Sequence, residues 1–148
     1  MKGFSLFELT IAIAIMLFLA AGITGAFSIF RDSRELERTA DEVLLTLREA
    51  RARTLASDSD SQFGVFVDAS RAVFFRGAIY TEGAVENEIH PFSARVEAHS
   101  ITIPSGTVVF DRLTGATSAS GTIAFRLKNN PQKTRSIAVT LTGLMYAQ

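Results

Sequence analysis

From Leu9 to Phe30 the sequence carries no charged residue. As helix, those 22 residues measure roughly 33 Å at about 1.5 Å per residue, enough to cross a bilayer core of about 30 Å. They follow a short lead, Met1-Lys2-Gly3, and one carboxylate, Glu8, stands at their edge. A carboxylate in hydrocarbon is costly, so Glu8 either reaches the interface or has a partner. Three uses fit such a stretch. A secretory signal peptide has a basic start, about 7–15 apolar residues and a small-residue cleavage site. Ala20-Ala21-Gly22 would serve as that site, but the run is too long and a carboxylate inside it is unusual. A signal anchor would hold Glu8 near the membrane edge. A third kind of segment is cut before the apolar helix rather than after it.

Helical spacing continues past the apolar stretch. Leu36, Ala40, Val43, Leu44, Leu47, Ala50 and Leu55 recur at three- and four-residue steps among charged residues, which makes one apolar stripe. No proline or glycine interrupts residues 26 to 62. The pattern predicts one helix from near Phe4 to about Ser57, with Gly22 and Gly25 its weakest internal positions. Ser57-Asp58-Ser59-Asp60-Ser61 ends it and reads as a solvated turn, lacking the ligand set of a calcium loop.

The period then changes to two. Phe63–Val67 and Ala72–Phe75 read as strands joined by a turn at Asp68–Arg71. Gly77–Pro91 reads as a surface loop. Ser100–Ile103, Thr107–Phe110, Thr122–Leu127 and Ser136–Leu141 read as further short strands. The expected fold class is α+β: a long N-terminal helix, part apolar and part amphipathic, packed on an antiparallel β-sheet domain. The expected division is a leader at 1–3, a membrane helix at 4–30, its amphipathic continuation at 31–57 and a β-rich domain at 58–148.

Composition narrows the chemistry. Fifteen Lys and Arg balance fifteen Asp and Glu, so no global charge argues for nucleic acid. With no cysteine there is no disulfide, thiolate metal site or cysteine nucleophile. His90 and His99 lack a supporting cluster and predict no metal site. No catalytic constellation is evident and no cofactor is expected. One patch stands out: Arg126, Lys128, Lys133 and Arg135 surround Asn129-Asn130-Pro131, with no acid from Leu113 to Gln148. Such a hairpin is a candidate for DNA phosphate contact, against the preferred reading of a charged tip that resists edge aggregation.

Gly3-Phe4-Ser5-Leu6-Phe7-Glu8-Leu9, followed by an apolar helix, resembles the type IV prepilin motif. The resemblance implies that a prepilin peptidase cuts between Gly3 and Phe4 and that Phe4 becomes the N-methylated terminus. It also implies that Glu8 pairs with a terminal amine when subunits dock. Ser5 and Phe7 depart mildly from the commoner choices. Leu47–Leu55, the strand pair, and Val109–Gly115 with Ser120–Phe125 resemble the H-type minor pseudopilins of type II secretion and related minor pilins. Implied partners are other pilin or pseudopilin subunits, an inner-membrane assembly platform and, before assembly, the lipid bilayer. The implied place is the cytoplasmic membrane, with the β-rich domain outside, and then a filament. The charge flanks oppose that orientation: Lys2 precedes the apolar stretch, while Arg31, Arg34 and Arg38 follow it.

Overall fold

The computed structural model describes residues 5–148, apart from the side chains of residues 21–29. The chain divides into two compact units, residues 1–34 and 35–148. One helix, α1 (Leu6–Leu55), contributes to both. Its end agrees with the expected one to within two residues. Ser57 stops it by taking a left-handed conformation (φ 52°), a common helix-ending device that usually falls to glycine.

Within residues 35–148, Leu36, Ala40, Val43, Leu44, Leu47 and Ala50 are buried, as their spacing predicts. Leu55, in the last turn, is 40% exposed and falls off the stripe. Thr39, Thr46 and Thr54 widen the buried face. Each satisfies its hydroxyl locally, donating to the carbonyls of Glu35 (2.9 Å), Glu42 (2.9 Å) and Ala50 (2.7 Å). The apolar spacing alone does not reveal this, because threonine buries only where its hydroxyl finds a backbone acceptor.

Eight strands follow: β1 (Phe63–Val67), β2 (Arg71–Arg76), β3 (Glu88–Pro91), β4 (Val96–Ile101), β5 (Thr107–Val109), β6 (Gly121–Leu127), β7 (Thr134–Val139) and β8 (Met145–Ala147). They form two antiparallel sheets, ordered β3-β2-β1-β5 and β4-β6-β7-β8, in keeping with the α+β fold and antiparallel β-sheet domain expected from the sequence. One core joins the helix to both: Leu47 and Ala50 meet Val65, Phe74 and Val108 of the first sheet and Ile123, Phe125 and Ile137 of the second.

Several boundaries differ from expectation. The last four residues of the expected 77–91 loop are the edge strand β3, exposed along its whole length and so without an apolar signal. The strand expected at Ser100–Ile103 lies at Val96–Ile101, where an irregularity between Ala98 and Ser100 breaks the alternation. The strand expected at Ser136–Leu141 runs from Thr134 to Val139. The short strand β8 has one half-buried residue in three and leaves no pattern.

Ala72–Phe75 is buried at every position because the first sheet is covered on both faces. Phe74 faces the shared core. Phe75 meets Tyr80 edge-on at 5.4 Å, and Tyr80 stacks on Phe66 at 4.3 Å. The loop bearing Tyr80 is tied down by Arg71–Glu82 (2.8 Å) and Arg76–Glu86 (3.7 Å).

Candidate functional site

The apolar N-terminal stretch begins with a cap. The Ser5 hydroxyl accepts the Glu8 backbone N–H at 3.2 Å, satisfying one of the free donors of the first turn. Ser5-Leu6-Phe7-Glu8 thus has the Ser-x-x-Glu spacing of a capping box. Glu8, exposed in that first turn, also places a negative charge where the helix dipole favours one. The sequence alone singles out Glu8 as an oddity in an apolar run; the cap gives it a local reason to be there. Gly3 and Phe4 lie outside the described residues, as do the side-chain positions at Gly22 and Gly25.

Past the cap the helix presents apolar side chains outward. Leu6, Phe7, Leu9, Ile11, Ile13 and Ile15 through Leu19 are all exposed. Among the described residues no helix is long and apolar enough to cross a membrane. Of the uncharged stretch, the described side chains are those of Leu9 to Ala20 and Phe30, fewer than the roughly 20 residues a span requires.

The basic residues of the β6–β7 hairpin do not converge. Arg126 is held across the strands by its register partner Glu97, at 2.7 Å from Nε and 2.6 Å from Nη2. Arg135 stands opposite Phe125, whereas Arg126 stands opposite Thr134, so the two arginines leave opposite faces of the sheet. Lys128 lies at the tip, its backbone N–H bonded to the Arg95 carbonyl at 2.9 Å. Lys133 returns the chain, its N–H bonded to Asn130 at 3.0 Å.

His90 is exposed on β3 and His99 is exposed in the β4 irregularity. Among the described residues no three His, Cys, Asp or Glu side chains come together as a metal site. Asp60 of the Ser57–Ser61 turn is paired with Arg112, and Asp58 accepts from Ser59 at 3.1 Å. A shallow cleft of about 280 Å3 lies between α1 and the β3–β4 segment. Its polar groups pair with one another: Arg38 with Glu42 at 2.8 Å, and the Ser93 hydroxyl with Glu35 at 2.7 Å.

Opposing causes act on one carboxyl. Burial pushes Asp68 up, but hydrogen bonds from the Ser70 N–H, the Arg71 guanidinium, the Ser70 hydroxyl and the Arg71 N–H together hold it below its ordinary value. These contacts fix the β1–β2 turn.

No family model matches the sequence, and no curated protein matches it. The architecture does have a likeness among solved structures. The type IV minor pilin FimU of Pseudomonas aeruginosa strain PAO1 superposes with a TM-score of 0.59 over 80% of this chain and 92% of that one, at 14% identity. This is a type IV pilin-like fold. At that identity the likeness reaches the pilin-like architecture, a long helix on antiparallel sheets, and not the H-type pseudopilin subtype.

Proposed function

We propose that the chain is a structural subunit, a minor pilin or a pseudopilin, of a type IV pilus or a type II secretion pseudopilus. The observation that carries this reading is the pilin-like fold preceded by a capped helix whose first turns expose large apolar side chains. Such a surface needs a lipid or protein environment. On this reading a prepilin peptidase cuts between Gly3 and Phe4, and Phe4 is N-methylated. The apolar helix anchors the subunit in the cytoplasmic membrane, with residues 58–148 outside. An inner-membrane platform then moves it into a filament of like subunits. Glu8 pairs with a terminal amine during docking, which offsets the cost of holding a carboxylate in an apolar setting.

Intact-mass and peptide mass spectrometry of the chain from its native membrane tests this reading. A terminus at methylated Phe4 is expected. An intact Met1 would reject it in favour of an uncleaved membrane-anchored module. DNA binding by the β6–β7 hairpin has less support, since Arg126 is engaged by Glu97 and Arg135 leaves the other face.

A further inference from the structure

The open edges of the two sheets are not equally guarded. An edge strand offers unpaired N–H and C=O groups to any strand that meets it, and charge, proline, irregular register or a covering loop blunts it. The edge strands are β3 and β5 of the first sheet and β4 and β8 of the second. β3 carries Glu88, and its Pro91, opposite Arg71, has no N–H to give. β4 carries Glu97 and an irregularity, and the Ala69 carbonyl takes its Ala98 N–H at 3.1 Å. In β5 the Thr107 N–H turns back to the Pro104 carbonyl.

β8 has none of these guards. From Ile137 to Gln148 the sequence holds no charge and no proline. Ser136 and Gln148 exchange both backbone hydrogen bonds, at 3.1 and 2.8 Å, and the Thr140 N–H meets the Leu144 carbonyl at 3.0 Å. Antiparallel ladders alternate bonded and non-bonded pairs. Tyr146 therefore bonds to Ala138, while Met145 and Ala147 turn their N–H and C=O groups away from β7. Among the described residues nothing bonds to those outward groups. Met145 packs on the core, and Leu144 and Tyr146 are exposed.

We propose that β8 pairs, antiparallel and about a two-fold axis at Tyr146, with β8 of a second copy of this chain. The edge is its own complement. Met145 of one copy stands opposite Ala147 of the other, and each such pair exchanges two hydrogen bonds, so the outward groups of both strands are all satisfied. Tyr146 faces the second copy's Tyr146 across a non-hydrogen-bonded pair, where Cα atoms approach to about 4.5 Å and aromatic pairs are favoured. No like charges are opposed. Any strand would meet the amides; a copy also brings a neutral edge and an aromatic opposite Tyr146. The contact is small against the roughly 1,200 Å2 of a standard interface, so it is weak and depends on concentration. It does not depend on the pilin reading.

The test uses the full chain in detergent micelles at about 0.5 mM, a concentration suited to a weak contact. Its tyrosines are Tyr80 and Tyr146. Photo-oxidation that joins neighbouring tyrosines is expected to give a dityrosine-linked dimer, kept in Tyr80→Phe and lost in Tyr146→Phe. Ala147→Pro removes an outward N–H and spares the β7 ladder, so it should lower the dimer yield about tenfold with the thermal melt unchanged. Ala147→Lys, which places charge on the edge through an exposed side chain, should act alike. Because the chain has no cysteine, single cysteines read the register. Tyr146→Cys should form a disulfide-linked dimer, and Ile79→Cys, exposed on the loop after β2, should not. Leu144→Cys and Gln148→Cys should link to each other and not to themselves. If each links to itself, the two-fold register is overturned. A chain that stays monomeric throughout, or links as well at Ile79→Cys as at Tyr146→Cys, overturns the contact. A dimer that survives both Ala147 substitutions overturns pairing along β8.

Discussion

Two residues show how narrowly this fold is specified. Gly143 takes a left-handed φ of 74°, and a Cβ there would stand 1.9 Å from the Gly115 carbonyl. That carbonyl in turn accepts from Arg51 Nε of α1 at 3.0 Å. The turn after β7, the loop after β5 and the helix thus meet at one point. Gly143→Ala is expected to cost at least about 2 kcal/mol, read as a lowered midpoint in urea unfolding. Thr54 is fully buried, and its hydroxyl accepts the Phe63 N–H at 2.9 Å while donating to Ala50. Thr54→Val keeps the shape and strands that buried N–H, for a loss of about 1–3 kcal/mol; Thr54→Ser should lose less. Thermal melts of the pair separate the hydrogen bond from the packing.

At the scale of elements, the β1–β2 turn carries a pH dependence. Asp68 is held below its ordinary value of 3.8 in the folded chain. Its contribution is therefore complete above that value and is lost as pH falls below it. Acid titration followed by tyrosine fluorescence should show the loosening below about pH 4, and Asp68→Asn should remove that component. The elements also show what a sequence can carry. The α1 stripe is legible because each buried position repeats at the helical period. β1, β2 and β6 are legible because apolar residues cluster between turn formers. β3 and β8 are not, since an exposed edge strand has no inner face to mark it. Nor does the pattern say that strands divide between two sheets: pairing is a long-range choice, and Val65 and Ile123 look alike in sequence. Glu8 shows its exception to an apolar run openly, while its link to Ser5 depends on where the helix starts.

For the whole molecule, the two units differ in how their apolar side chains are placed. Residues 35–148 hold their own core, with helix and both sheets sharing it. The large apolar side chains from Leu6 to Leu19 are exposed. On the proposed function, the subunit passes from membrane to filament with the core of residues 35–148 kept. The cap at Ser5 bears on how that passage begins. Ser5 stands on the C-terminal side of the Gly3–Phe4 bond, so loss of Met1–Gly3 leaves the first turn its acceptor. Processing would then be invisible to circular dichroism, yet it removes Lys2 and leaves fourteen Lys and Arg against fifteen Asp and Glu. The two forms should give one helical spectrum and two bands on isoelectric focusing, the processed one more acidic, so that maturation is followed as a change in charge.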